Sequence, residues 1–383
     1  MTKYHVIIFF NIHSGNCQGR DIAQLDQQHV SVNNNDTVIE LVNVQDNLQC
    51  EQALNEINER LRQEDVVVHI VSAGGDGTFN HVIKMCIDNQ VHIFTNQDSH
   101  KIPIFSCIPL GTGNDLSQAL GWTRKVENNS TKSWEGLLKL VKERTIATVV
   151  AMDIWNIQFE TNSQRGYIEN RRGVRENILD DYMSNYMSIG LQGEVGTHFE
   201  KHRAHTRFWN VVEYMRQSLR IVKRWDILRV KDYFGIWESD NSSWVMPSKI
   251  ATSVDLIIQN INGIWGRNVQ LWEQCKWEPH VLPNNIANNQ VTYQKSSIND
   301  KKCEVFTIAS RWDYFMKQFT WSRNLGTLYR LGQFGEFKLS ILRSCRNLYF
   351  MIDGECYLAH LPKSLQVRHQ GQIRIAIKND HQL

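Results

Sequence analysis

The residues of this chain best suited to chemistry on a phosphate stand in two glycine-rich turns. Gly74-Gly75-Asp76-Gly77-Thr78 is the first and Gly111-Thr112-Gly113-Asn114-Asp115 the second. Glycines in such turns allow φ > 0 and leave no Cβ in the way of a ligand. The amides at a following helix start, with the macrodipole behind them, attract anions. Asp76 gives the first turn a further task, because a carboxylate among phosphate-directed amides must hold a cation or accept a proton. Asp115 reads as the cap of the second helix. Neither turn is a Walker loop, since no Gly-Lys-Ser/Thr follows, and neither is a G-x-G-x-x-G dinucleotide fingerprint.

Strand and helix patterns must position these turns. Val67, Val68, Ile70 and Val71 form a β-branched run without helical period, and Ile104 to Ile108 is a second; both read as buried strands. Phe79, Val82, Ile83 and Cys86 after the first turn have helical spacing, as do Leu116, Ala119 and Leu120 after the second. Two such turns at the carboxyl ends of neighbouring parallel strands would build one phosphate-sized crevice. Tyr4 to Phe10 reads as an opening strand and Val38 to Val44 as another, while Leu54, Ile57 and Leu61 mark a helix. This alternation predicts a parallel sheet with helices on both faces. After Arg144 the pattern changes to long β-type runs, so a second, β-rich domain is expected from there. Asn162 to Asp180 reads as a surface loop, and Pro362 to Ile377 as a last strand pair. Phe208, Val212, Met215, Leu219 and Val222 make an apolar helical stripe, with Arg216, Arg220, Lys223 and Arg224 off it, the pattern of an amphipathic helix.

The bulk properties exclude several classes. The chain has 383 residues, 42% hydrophobic and 21% charged, with a net charge of +2 and a mean hydropathy of −0.41. It is no nucleic-acid polycation. None of its eight cysteines has C-x-x-C or zinc-ligand spacing, which fits a reducing, cytoplasmic compartment. No apolar stretch approaches the length of a membrane span. Between Lys201 and Asp232 nine Lys/Arg stand against three Asp/Glu, so this region is either a solvated face or a surface for anionic lipid.

Gly74-Gly75-Asp76-Gly77-Thr78 and Pro109-Leu110-Gly111-Thr112-Gly113-Asn114-Asp115-Leu116 resemble the two signatures of the eukaryotic-type diacylglycerol kinase catalytic domain, within the lipid kinase and NAD kinase-like superfamily. The first signature also resembles NAD and sphingosine kinases; the second narrows the choice. Asn11-Ile12-His13-Ser14-Gly15 is similar to the family's opening turn, with Ile12 and His13 where the family has proline and lysine. Met183 to Arg203 resembles the start of the accessory domain, with Gln192 at a family aspartate. Val254 to Trp272 and Asn299 to Val305 match further segments, with Lys301 at a family glycine.

The resemblance implies an α/β fold of two domains. An N-terminal Rossmann-like, parallel-sheet nucleotide-binding domain would span residues 1–144. A predominantly β, antiparallel-sandwich lipid-substrate domain would span 145–362, with 363–383 returning to the first and the active site in the cleft between them. It implies Mg²⁺-dependent transfer of a phosphoryl group from ATP to diacylglycerol in a membrane, with peripheral membrane association, an anionic lipid surface as a further partner, and no nucleic acid. Asn11, Ser14, Gly15, Gly74, Gly75, Gly77, Thr78, Gly111, Thr112, Gly113 and Asn114 would bind ATP. Asp300 would hold Mg²⁺. Asp76 and Glu355, the latter in Asp353-Gly354-Glu355, are the two candidates for the catalytic base, and Asp353-Gly354 is equally a hairpin-turn signal. A kinase for another lipid alcohol, such as a sphingoid base or ceramide, and a non-catalytic nucleotide- or lipid-binding relative are the alternatives.

Overall fold

Apolar strands that no helical period interrupts form the centre of each half of the molecule. The computed structural model describes residues 3–14, 18–25, 28–32, 35–95, 102–127, 129–162, 164–202, 207–224, 226–239, 242–276, 293–318 and 326–379. The chain forms two compact units. The first holds Met1–Ile154, Trp265–Asn268 and Gly371–Leu383, and the second holds the remainder.

In chain order the first unit contributes β1 (Lys3–Phe10), α1 (Gln18–Ala23), β2 (Gln28–Val32), β3 (Asn35–Asn43), α2 (Asn47–Arg60), β4 (Val66–Gly74), α3 (Asp76–Asp88), β5 (Ile104–Pro109), α4 (Asp115–Ala119), α5 (Trp134–Thr145) and the start of β6 (Thr148–Thr161). Strand β1 lies between β3 and β4, parallel to both, and β5 is parallel to β4. Every residue of β5 is buried, as are Val6 to Phe10 of β1. Val6, Ile8, Ile39, Val71, Ala73, Ile108, Leu137 and Val141 form a core on one side of this sheet. A buried arginine fixes the strand that carries the second turn: Arg144 Nε donates to the Cys107 carbonyl at 3.0 Å, and its guanidinium stacks 4.6 Å from the centre of the Trp122 ring. β2 pairs antiparallel with β3, a hairpin that the sequence reading did not assign.

The second unit contributes the rest of β6, then β7 (Tyr167–Asn170), β8 (Arg175–Glu176), β9 (Ile178–Met183), β10 (Tyr186–Gly190), α6 (Leu191–Lys201), α7 (Arg207–Val222), α8 (Val230–Tyr233), β11 (Phe234–Ser239), β12 (Ser242–Val245), β13 (Asp255–Gln259) and β14 (Gly263–Ile264). β15 (Arg267–Asn268) falls in the first unit; β16 (Cys303–Ile308), α9 (Arg311–Lys317), β17 (Leu328–Phe334), β18 (Glu336–Ile341), β19 (Asn347–Ile352), β20 (Glu355–His360) and β21 (Pro362–Ile377) complete the chain. Eight of these strands make an antiparallel sheet in the order β17-β16-β13-β10-β19-β20-β7-β8. The core of this unit includes Trp155, Phe159, Met187, Ile189, Trp237, Leu256, Phe337 and Phe350.

Two expectations need correction. Residues expected as a surface loop after Asn162 form β7, β8 and the start of β9, whose apolar Ile168 and Leu179 are buried in the core of the second unit. The expected last strand pair is one strand, β21, which passes from the second unit into the first and there runs parallel to β5. At Gly371 in its middle a Cβ would stand 2.6 Å from the Phe94 ring, so that glycine serves a close approach and not a turn. The apolar stripe of α7 is divided: Val222 is buried and Met215 half-buried, whereas Val212 and Leu219 are exposed, as is Trp209 beside them. Periodicity located the helix, and the inner face is shared by Asn210, Gln217, Ser218, Ile221 and Val222.

Candidate active site

The two glycine turns meet in the first unit at the carboxyl ends of β4 and β5. The Gly74 carbonyl accepts from both the Leu110 and Gly111 amides, at 2.8 and 3.1 Å. A Cβ on Gly111 would stand 2.5 Å from the Gly75 Cα, so the turns pack backbone against backbone. That contact accounts for Gly75 and Gly111, and at Gly74 a Cβ would stand 2.3 Å from Thr78 Oγ1. None of Gly74, Gly75, Gly77, Gly111 and Gly113 is among the described residues with positive φ; in these turns that conformation falls to Asn114, at φ 56°. Asparagine tolerates it better than most side chains.

Asp76 joins the two turns. Its carboxylate accepts the Asp115 amide at 2.9 Å and the Leu116 amide at 3.0 Å. These are the first amides of α4, whose N-cap Asn114 makes no side-chain cap. The expected cap at Asp115 is thus replaced by a carboxylate from the other turn. One consequence is that the α4 start has no spare amide at these two positions for a phosphate. α3 differs: its N-cap is Gly75, and no side chain caps it.

Asp115 is buried and accepts the Arg267 amide at 3.0 Å. Burial first, and the Asp76 charge second, push its carboxyl well above the usual carboxylate range. A Cβ on Gly113 would lie 3.6 Å from Asp76 Oδ2 and 3.7 Å from Asp115 Oδ2, so both carboxylates converge beneath this glycine. A small recess here is lined by Gly74, Gly75, Asp76, Pro109, Asn114 and Ser117, among others. Asn114 Nδ2 donates to the Gly111 and Arg124 carbonyls at 2.9 and 2.8 Å. Its buried Oδ1 has no hydrogen-bond partner.

The opening turn reaches the same place. The Asn11 amide donates to the Ala73 carbonyl at 3.1 Å, and Asn11 Nδ2 approaches Thr78 Oγ1 at 3.5 Å. Asn11 Oδ1 accepts the His13 amide, and the Ser14 amide donates to the Asn11 carbonyl. Gly15 lies outside the described residues. Thr112 is half-buried in the second turn.

Sequence reasoning missed two cations. Arg124 and Arg267 flank the second turn, and the charge of Arg124, after burial, lowers the Arg267 pKa. Arg124 Nη2 stands 2.9 Å from where a Cβ on Gly266 would be. Neither guanidinium makes an ion pair or side-chain hydrogen bond among the described residues. Two unpaired like charges beside a glycine turn are a signal for an anion, and the opening turn lacks a lysine. Nothing in the local sequence links positions 124 and 267.

Glu355 and Asp300 belong to the second unit. Ile352 pairs with Glu355 across a two-residue Asp353-Gly354 turn, in which both turn residues have positive φ. Glu355 is exposed. Asp353 is buried and receives four hydrogen bonds, from the Ser184, Asn185 and Tyr186 amides and the Ser184 hydroxyl, at 2.7–3.0 Å. Burial nevertheless raises its pKa to about 7. Asp300 Oδ1 accepts the Lys302 amide at 3.0 Å, and Lys301 takes the left-handed conformation at φ 60° that a glycine would favour. Glu304 nearby is pushed up to about 8, chiefly by burial. Gln192, at a family aspartate, is buried in α6, and its Nε2 donates to the Tyr186 hydroxyl at 3.3 Å.

Family profiles for the diacylglycerol kinase catalytic domain and the diacylglycerol kinase accessory domain match residues 5–148 and 182–356. Diacylglycerol kinase 1 of Arabidopsis thaliana is 25% identical over 388 residues, covering 96% of this chain and 44% of its own. Probable diacylglycerol kinase 3 of Caenorhabditis elegans is 29% identical over 338 residues, covering 81% of this chain and 37% of its own. The chain therefore spans less than half the length of these curated relatives. A solved structure of a proposed diacylglycerol kinase from Bacillus anthracis aligns over 99% of this chain and 98% of its own, with a TM-score of 0.51 and 16% identity, a likeness of fold.

Proposed function

Because the chain belongs to the diacylglycerol kinase family, we propose that it transfers the γ-phosphoryl group of ATP to the free hydroxyl of a 1,2-diacylglycerol, giving a phosphatidate and ADP. The observation that carries this reading is the junction of the two glycine turns through Asp76. Phosphoryl transfer is mostly positioning and charge neutralisation, and the junction offers both. The uncapped start of α3 presents amides to the phosphates. Arg124 and Arg267 supply positive charge beside the second turn. Thr78, Thr112 and Asn114 add side-chain contacts.

The donor set suits a hard cation. Asn114 Oδ1 is a buried oxygen without a partner, Asp76 lines the same recess, and the Asp76 and Asp115 carboxylates converge beneath Gly113. These groups would hold Mg²⁺ with the nucleotide. When bound, Mg²⁺ neutralises charge that develops on the β- and γ-oxygens. A carboxylate accepts the hydroxyl proton as the new P–O bond forms and the bond to the β-phosphate oxygen breaks. Asp76 has both carboxylate oxygens engaged by the Asp115 and Leu116 amides, and that structural task competes with accepting a substrate proton. We therefore assign the proton to Glu355. Asp300, with one oxygen already on the Lys302 amide, would hold a second, structural cation.

Calorimetric titration with Mg-ATP tests the phosphate site. Gly77→Val, in the first turn of α3, should abolish binding, and Arg267→Ala should weaken it, with melting curves unchanged. Wild-type ATP affinity in both variants would remove the phosphates from this turn.

A further inference from the structure

We propose that the outward face of α7 is the surface by which this chain docks on an anionic phospholipid bilayer. On a helix of 3.6 residues per turn, Trp209, Val212, Arg216, Leu219, Arg220 and Lys223 fall within an arc of about 100°. Trp209 is 58% exposed, Val212 39% and Leu219 37%. The buried residues of the helix are mixed, Asn210, Gln217 and Ser218 with Ile221 and Val222. A helix serving only the fold would turn its apolar stripe inward. Val222 at the end of the stripe is buried, but Trp209, Val212 and Leu219 stand on the outside, so what they cover lies outside the chain.

Charge identifies the occupant. Arg216 is held by Glu213 through two hydrogen bonds, at 2.9 and 3.0 Å. Arg224 is held by Asp226 and Glu194. Arg220 and Lys223 are exposed and make no ion pair among the described residues. They flank the apolar residues, and long basic side chains reach lipid phosphates while their stems lie along an apolar surface. An indole prefers the boundary between headgroups and acyl chains. No helix of the described residues is long and apolar enough to cross a membrane, so α7 lies in the interface plane.

The test needs no nucleotide and no turnover, so its failure is separate from failure of the kinase reading. The full chain is sedimented with phosphatidylcholine vesicles with and without phosphatidylserine. Wild type should bind the anionic vesicles and release them in high salt. Arg220→Gln with Lys223→Gln should weaken binding about 30-fold, from roughly 1 kcal/mol for each basic residue. Leu219→Asp should abolish binding with an unchanged melting curve, since the residue is exposed. Lys139→Gln with Lys142→Gln, the same charge loss on α5, should bind as wild type. Equal binding to both vesicle types, or wild-type binding by the α7 variants, would overturn the proposal. So would Leu219→Asp converting a dimer to a monomer without changing vesicle binding, because the face would then belong to a second copy.

Discussion

Asp76 is where local chemistry and turn packing meet. Its type and neighbours announced a carboxylate with a task, but the two amides of α4 that it accepts lie about 40 positions along the chain and leave no local trace. Asp76→Asn keeps one acceptor oxygen and leaves one of these amides without a partner. We expect a loss of about 1–3 kcal/mol in stability together with loss of Mg²⁺-dependent ATP binding, read by chemical denaturation and titration. Glu355→Gln should separate cleanly from it. Glu355 is exposed, so stability should hold, ATP binding should hold, and single-turnover phosphorylation should fall about 10²–10⁴-fold, the range for losing a general base. Normal turnover in Glu355→Gln would reduce Asp353-Gly354-Glu355 to a hairpin and pass the proton to Asp76. Asp353 shows why such a motif has two readings. It is at once a turn residue and the acceptor that fixes the Ser184-Asn185-Tyr186 corner.

At the scale of elements, the glycine turns were legible because strand, turn and helix follow each other within one window of sequence. Their mutual packing was not. Gly111 was read as clearance for a ligand, and its nearest obstacle is the Gly75 backbone. Gly111→Ala should therefore cost about 1–3 kcal/mol, the usual range for overpacking, and lower the unfolding midpoint as well as ATP affinity. An unchanged midpoint would show that the turns separate without cost. Strand β4, which carries the first turn, holds a second test. His69 is buried, neither ring nitrogen has a hydrogen-bond partner, and burial, then Arg374, lowers its pKa to about 4. A histidine whose folded pKa is depressed binds its proton preferentially in the unfolded chain. Stability should thus be complete above about pH 6.5 and fall as pH drops towards 4, by about 3 kcal/mol from this group. His69→Phe should flatten that limb, as followed by urea midpoints at each pH. A limb as steep as wild type would exclude His69 as its source. The orientation of α7 was the element least legible in sequence. Helical periodicity reports that a stripe exists, and only the neighbours decide whether it faces inward.

Over the whole molecule, the α/β first unit and the β-rich second unit followed from the change in pattern after Arg144, and matches to family profiles cover residues 5–148 and 182–356. The passage between units was harder to read, because β6 and β21 are continuous strands that belong to both; Gly371, at the boundary in β21, reads as a turn signal but lies within an unbroken strand. Arg124 and Arg267 were invisible for the same reason: the returning segment Trp265–Asn268 brings a cation to the second turn from more than a hundred residues away. The central claim concerns the acceptor, which fold and glycine turns leave open among lipid alcohols. It is tested by incubating the chain with γ-labelled ATP, Mg²⁺ and mixed micelles of diacylglycerol, sphingosine or ceramide, and identifying the labelled lipid. The account predicts labelled phosphatidate from diacylglycerol, dependent on Mg²⁺ and lost in Gly77→Val. Label in sphingosine phosphate or ceramide phosphate alone, or in no lipid while Mg-ATP still binds, would contradict it.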